Sequence, residues 1–114
     1  MGLHIERVGE VAVVVPKGML RGGKETDELE TTLRKLVYDG HKRILLDLQK
    51  TSFMSSTAIG LLAGVHTSAT NRGLAFYVCN IDRRIEDILT VIKLVQVLNV
   101  FDTRDEALQA LAQA

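Results

Sequence analysis

The first part of the chain alternates short apolar runs with turn residues, which predicts a β-hairpin. Apolar side chains at Leu3 and Ile5 are typical of a half-buried strand, and the β-branched run 11–15 is typical of a well-buried one. The turn signal Gly9-Glu10 lies between the two runs. We therefore expect the first two strands to pair as a hairpin.

Four longer segments carry apolar residues at helical spacing, and short apolar runs separate them. The first of these helices ends before Gly40, a residue type that accepts the left-handed conformation of a C-terminal cap. The last begins at a capping box formed by Thr103 and Glu106. The expected helices cover 24–38, 56–71, 81–94 and 103 onward, and the expected strands between them cover 43–48, 74–79 and 97–101.

This order of elements, ββαβαβαβα, predicts a single α/β domain over residues 1–114. A hairpin that leads into βαβ units gives a mixed sheet, here of about five strands packed with about four helices. A length of 114 residues suits one domain with its own hydrophobic core. No internal repeat or linker in the sequence divides it.

Charge and cysteine content narrow the possible functions. The 14 basic and 14 acidic residues cancel, whereas a nucleic-acid-binding domain normally has a basic excess. The single Cys79 cannot form an intrachain disulfide, and no Cys/His cluster indicates a metal. The sequence shows neither a signal peptide nor the roughly 20 apolar residues that cross a membrane. We therefore expect a cytoplasmic protein that needs no cofactor, binds no nucleic acid and does not insert directly into a membrane.

The most informative segment, 47–62, places three consecutive hydroxyl side chains where a helix begins. Ser55, Ser56 and Thr57 follow a buried strand and a short loop. One interpretation is structural, because Ser or Thr at an N-cap accepts a hydrogen bond from a free backbone N–H. The other is modification, because a phosphate carries about −1.5 to −2 charges and a helix N-terminus tolerates it. The residues alone leave both interpretations open.

The order of elements and this segment together resemble the STAS domain of bacterial anti-sigma factor antagonists. In that family a strand ending in Asp-Leu leads to a Phe-Met-Asp-Ser-Ser-Gly-Leu-Gly motif, which is similar to Asp47-Leu48 followed by 53–60. The family's Gly-x-Leu element resembles 18–20, and its C-terminal pattern of helix, strand and helix resembles 84–108. The resemblance extends over nearly the whole chain.

The resemblance implies a regulatory binding protein. In the family, an anti-sigma factor kinase phosphorylates the hydroxyl that follows the motif's aspartate, which corresponds to Ser56, with Thr57 beside it. The unphosphorylated antagonist binds the anti-sigma factor and frees the sigma factor. The partner-binding face that the resemblance implies comprises Gly18, Leu20, Arg21, Ser55, Ser56, Thr57, Ala58, Ile59 and Gly60.

Three residues of this face depart from the family pattern. Ser55 and Arg21 stand where acidic residues are common, and Ala58 replaces a glycine. A kinase that recognises those carboxylates would lose contacts here. The departures favour the alternative of an unswitched STAS scaffold or oligomerisation module, such as a homodimer. A small-ligand sensor that binds a nucleotide or lipid near the same helix start is a further alternative.

An enzyme is not expected, although the three residue types of a hydrolase triad are present. Ser56 and His66 fall on one predicted helix, ten residues apart. That spacing separates them by about 15 Å along the helix axis, whereas proton transfer needs about 3 Å. No Gly-x-Ser-x-Gly elbow supports Ser56 as a nucleophile with Asp47 as the third member.

Overall fold

Most helices and strands lie within a few residues of the positions that the sequence predicts. A computed structural model describes residues 3–82 and 98–114. In chain order the elements are β1 Leu3–Val8, β2 Val11–Pro16, β3 Gly18–Leu20, α1 Lys24–Tyr38, β4 Arg43–Asp47, β5 Thr51–Met54, α2 Ser56–Asn71, β6 Ala75–Cys79, β7 Asn99–Phe101 and α3 Arg104–Ala112.

Five of the strands form one mixed sheet in the order β1-β2-β4-β6-β7. The hairpin β1–β2 is antiparallel, and the other three pairings are parallel. This confirms the predicted α/β class and the mixed sheet of about five strands. The hairpin turns at Gly9, where a φ of +60° suits a residue without a side chain.

Helices cover both faces of this sheet, which explains why its central strands are almost entirely apolar. α1 and α2 pack on one face, against side chains that include Val14 and Leu46. α3 packs on the other face, against side chains that include Val13 and Leu45. Both Leu45 and Leu46 are fully buried, so β4 has no polar alternation.

A second, two-stranded sheet was not predicted. β3 pairs parallel with β5, with Gly18 opposite Thr51 and Leu20 opposite Met54. Each strand has only three or four residues and lacks a clear apolar alternation, so the sequence indicated loops at both places. Their pairing joins segments that are far apart in the chain, and a local pattern does not contain that information.

The described residues contain three helices, fewer than the four expected. The predicted helix 81–94 lies outside the described residues except for Ile81 and Asp82, neither of which is helical. The predicted strand 97–101 is observed from Asn99. Within residues 3–82 and 98–114, no helix is long and apolar enough to span a membrane.

Candidate functional site

The start of α2 is held by a hydrogen-bonded cap. Ser55 is the N-cap in extended conformation, and its Oγ accepts a hydrogen bond from the Ala58 N–H at 3.2 Å. Its carbonyl accepts the first bond of the helix, from the Ile59 N–H at 2.9 Å. The structural interpretation of the hydroxyl triplet is therefore confirmed for Ser55, whose side chain has a defined task.

The next two hydroxyls lie at the surface. Ser56 is the first residue of α2, and both Ser56 and Thr57 are exposed. The first turn of α2 contains no acidic residue, so no side-chain carboxylate of that turn offsets the positive end of the helix dipole. A helix start of this kind can accommodate an added anionic group with little rearrangement.

The β3–β5 sheet brings the Gly-x-Leu element against the start of α2. The Ser55 N–H donates to the Leu20 carbonyl at 2.8 Å, which continues the ladder into the helix cap. At the other end the Gly18 N–H donates to the Lys50 carbonyl at 2.8 Å. The two sequence motifs that suggested one binding face therefore meet in the structure through backbone hydrogen bonds.

The loop before α1 packs directly on the hydroxyl triplet. A side chain at Gly22 would meet Ser55 Oγ and Thr57 Cβ, each at 3.5 Å. Gly22 also has a φ of +92°, and its N–H donates to the hydroxyl of Thr26 at 2.9 Å. This close approach places the start of α1 beside the start of α2, with Arg21 exposed at the rim.

Two exposed apolar side chains flank this helix start, and the sequence analysis did not identify them as a pair. Met19 on β3 is opposite Phe53 on β5, and their exposed fractions are 46% and 43%. The Arg21 guanidinium lies 2.7 Å from the Met19 sulfur. An available signal was the presence of large apolar residues in segments that otherwise resemble polar loops. We call Met19 and Phe53 the apolar pair.

Three residues of the implied partner-binding face do not reach the surface. Leu20, Ala58 and Ile59 are each at most 1% exposed and belong to the core beneath α2. Their place in the motif is explained by packing, since they anchor the backbone that carries the neighbouring hydroxyls. The remaining members of this face are accessible to solvent. Gly18 and Ser55 are partly buried, and the exposed residues are Arg21, Ser56, Thr57 and Gly60.

A buried ionic network at the carboxyl end of β4 was also missed by the sequence analysis. Asp47 is fully buried, and its Oδ1 accepts hydrogen bonds from the Gln49 N–H at 2.9 Å and the Asn80 side chain at 3.0 Å. Its Oδ2 accepts from Arg104 Nε at 2.8 Å. Arg104 continues through Nη1 to Glu6 at 3.2 Å. We call these residues the Asp47 network.

The electrostatics of the Asp47 network stabilise the ionised carboxylate and do not activate the neighbouring Cys79 thiol. Burial opposes ionisation of Asp47, but hydrogen bonds from Asn80, Gln49 and Arg104 outweigh it and hold the pKa of the carboxyl below its usual value. Burial and then the Asp47 charge raise the pKa of the Cys79 thiol to about 12. The thiol is therefore protonated at neutral pH and is a poor nucleophile.

The residues of the considered hydrolase triad are not brought together. His66 lies on α2, ten residues after Ser56 on the same continuous helix. Its buried Nδ1 has no hydrogen-bond partner among the described residues. Asp47 is bound within its own network. Ser56 and His66 are therefore separated by about 15 Å along the axis of α2.

Comparison with known proteins identifies the family of this chain. Residues 3–107 match the STAS domain. The chain belongs to the STAS domain family. A protein of Thermotoga neapolitana named "Putative anti-sigma factor antagonist TM1081 homolog" is 27% identical over 81 residues, which are 67% of this chain and 72% of that protein. The resemblance inferred from the sequence motifs is thus confirmed at the level of the family.

Solved STAS structures show the same fold at low sequence identity. The crystal structure of TM1081 from Thermotoga maritima has a TM-score of 0.88 at 18% identity, covering 96% of this chain and 94% of that one. The anti-sigma factor antagonist SpoIIAA in its unphosphorylated form has a TM-score of 0.73 at 18% identity, covering 98% of each chain. SpoIIAA of Bacillus is also solved in a phosphorylated form, with a TM-score of 0.74.

Proposed function

We propose that this STAS domain is an anti-sigma factor antagonist-like regulatory protein of the cytoplasm. In this proposal it binds an anti-sigma factor of the serine/threonine kinase type, phosphorylation of Ser56 ends the contact, and the chain catalyses no reaction of its own. The observation that carries the proposal is the exposed Ser56 hydroxyl at the first position of α2, three residues after Phe53 of the apolar pair.

The three hydroxyls divide into different roles, which supports Ser56 as the acceptor. Ser55 Oγ is engaged in the helix cap, and Thr57 packs beside Gly22. Ser56 is exposed and has neither constraint. A kinase needs a hydroxyl that it can reach without opening the fold, and Ser56 meets that condition best, with Thr57 as the second candidate.

A phosphate at Ser56 would change the surface while leaving the fold in place. It would add about −1.5 to −2 charges beside the free N–H groups of α2, which stabilise it. A partner that covers the apolar pair would then have to bury that charge, which is costly without a matching cation. SpoIIAA, which shares this fold, exists in unphosphorylated and phosphorylated forms, and that precedent supports a switch of the same kind.

The acceptor is tested by phosphorylation in vitro. The purified protein is incubated with ATP and each anti-sigma factor of the kinase type from its native host, and phosphopeptides are mapped by mass spectrometry. We expect one phosphate, present in the wild type and in Thr57→Val and absent in Ser56→Ala. The proposed acceptor would be contradicted if Thr57 alone were modified, or if none of the kinases modified either residue.

The contact is tested with a charge at the same position. We expect Ser56→Asp to weaken binding of the anti-sigma factor at least about tenfold, which is ~1.4 kcal/mol. Thr31→Asp adds the same charge at an exposed position of α1 and serves as the matched control, with wild-type affinity. Equal affinities for Ser56→Asp and Thr31→Asp would rule out control of the contact by charge at Ser56.

The exposed edge of the main sheet favours one alternative, an unswitched scaffold. β1 is an edge strand with Ile5 48% and Val8 36% exposed, and such an edge can pair with a second chain. The scaffold predicts concentration-dependent assembly in sedimentation velocity that Ser56→Asp leaves unchanged and Ile5→Lys abolishes. A monomer at every concentration, alone and with its partner proteins, would remove this alternative.

A further inference from the structure

A cleft of about 450 Å³ lies outside the proposed switch site. It opens next to the carboxyl ends of the parallel strands β2 and β4, where Lys17 follows β2 and Gln49 and Lys50 follow β4. Neither Ser56 nor the apolar pair lines it. In open α/β sheets, small ligands bind outside the carboxyl ends of the strands, and this volume is within the range of small-molecule sites.

The charges of the cleft do not balance. Arg104 contributes to the wall, but its charge is offset by Asp47 at 2.8 Å and Glu6 at 3.2 Å. Neither Lys17 nor Lys50 forms an ion pair within residues 3–82 and 98–114. Lys17, Lys50 and Arg104 thus make three cations against the two carboxylates of Asp47 and Glu6, a formal net charge of +1, and the two lysines that lack an ion-pair partner are suited to bind a phosphate.

The backbone under these lysines is fixed. The Gly18 N–H donates to the Lys50 carbonyl at 2.8 Å, and the Thr51 hydroxyl donates to the Pro16 carbonyl at 3.2 Å. Each of these bonds joins the segment around Lys17 to the segment around Lys50. The two ammonium groups therefore start from a rigid pair of anchors, which lowers the entropic cost of bringing both to one anion.

The rest of the lining is suited to a ligand that has more than a phosphate. Leu3 and the almost fully buried Val15 are the apolar members of the lining. His4, Glu6 and Gln49 provide side chains that exchange hydrogen bonds with hydroxyl groups. Glu6 accepts a hydrogen bond from Arg104 through Oε1, and its Oε2 has no hydrogen bond among residues 3–82 and 98–114.

We propose that this cleft binds a small phosphorylated molecule that carries hydroxyl groups, such as a sugar phosphate, with the phosphate between Lys17 and Lys50. The cleft is separate from the helix start where the sequence alone suggested a small ligand. The inference does not depend on the function proposed for Ser56.

Ribose 5-phosphate is a suitable probe, and amide chemical shifts of the full chain report where it binds. We expect saturable shifts at residues around the cleft, and none from ribose at the same millimolar concentration. The variant with Lys17→Gln and Lys50→Gln should bind at least about tenfold more weakly. Lys42→Gln removes one exposed charge at the opposite end of β4 and should bind within about twofold of the wild type.

Three results would overturn this inference. They are the absence of saturable shifts with ribose 5-phosphate, unchanged affinity in the double lysine variant, and equal affinity for inorganic phosphate alone, which would exclude the role of the hydroxyl groups. The Ser56→Asp variant should bind ribose 5-phosphate as the wild type does. A failure of the phosphorylation experiments would therefore not affect this binding test. A failure to bind ribose 5-phosphate would likewise not affect the phosphorylation experiments.

Discussion

The two polar centres of the molecule, the Asp47 network and the start of α2, differ in how completely their hydrogen-bonding groups are used. Asp47 is fully buried, and its two oxygens together accept hydrogen bonds from three residues, two at Oδ1 and one at Oδ2. Ser56 is exposed at the first residue of a helix. The Asp47 carboxylate is hydrogen-bonded within the protein, whereas the Ser56 hydroxyl is accessible from the solvent.

This difference separates residues that maintain the fold from residues that are free to act on a partner. A buried carboxylate whose two oxygens are both hydrogen-bonded has little capacity for a ligand, and removing it takes a partner from each of the groups around it. A surface hydroxyl contributes little to stability, so it can be modified without a loss of folding. The segment that resembles the STAS motif contains both kinds of residue, Asp47 and Ser56, nine positions apart, and only the structure distinguishes them.

The largest expected effect is that of removing the buried carboxylate. Asp47→Ala removes the buried partner of Arg104 Nε and of the Asn80 amide and leaves Arg104 only its ion pair with Glu6, and we expect a loss of about 3–5 kcal/mol in the free energy of unfolding in urea. Asp39→Ala removes an exposed carboxylate that pairs with Lys35 at 3.2 Å, and it should change stability little. Equal effects of the two variants would show that the Asp47 network is not structural.

The pH dependence of stability sharpens the same contrast. The pKa of Asp47 is lower in the folded than in the unfolded chain, so its ionised form stabilises the fold above the unfolded pKa of about 3.9. This contribution is lost as the pH falls below about 4 through the folded pKa. Urea midpoints measured from pH 7 to pH 2.5 should therefore fall more for the wild type than for Asp47→Asn. Parallel curves for the two proteins would contradict the lowered pKa.

The strands of the main sheet and the start of α2 could be predicted from the sequence because each is determined by a pattern of neighbouring residues. The buried run 11–15 and the hydroxyl triplet 55–57 each carry their signal within a few residues. The pairing of β3 with β5, the apolar pair and the contact between Asp47 and Arg104 depend on residues far apart in the chain. The sequence suggested a shared surface for Gly18 and Ser56 only through the family resemblance.

The next effect concerns the contact between the two helix starts. Gly22→Ala places a side chain at a φ of +92°, a conformation that only glycine adopts cheaply, so we expect a loss of about 1–3 kcal/mol in thermal or urea unfolding, whereas the added Cβ would make ordinary contacts with Ser55 and Thr57 at 3.5 Å. Gly60→Ala is the control, because it adds the same methyl group inside α2, where the Cβ has no neighbour within 4 Å and φ is not positive, and it should not destabilise the protein. If Gly60→Ala were the more destabilising variant, the left-handed conformation of Gly22 would be wrong.

The smallest effect separates two neighbouring hydroxyls. Ser55→Ala removes the oxygen that caps the Ala58 N–H, and we expect a loss of about 1 kcal/mol in the free energy of unfolding. Ser56→Ala removes an exposed hydroxyl, and it should stay within about 0.5 kcal/mol of the wild type. Urea titrations of both variants under identical conditions measure the difference.

These two variants also divide stability from regulation. Ser55→Ala should still be phosphorylated at the adjacent residue under conditions where it is folded, because the cap and the proposed acceptor are different oxygens. Ser56→Ala should be as stable as the wild type and lose the phosphate. If Ser56→Ala were as destabilised as Ser55→Ala, both hydroxyls would serve the helix cap. Ser56 would then be a structural residue and not a hydroxyl available for phosphorylation, which contradicts the proposed function.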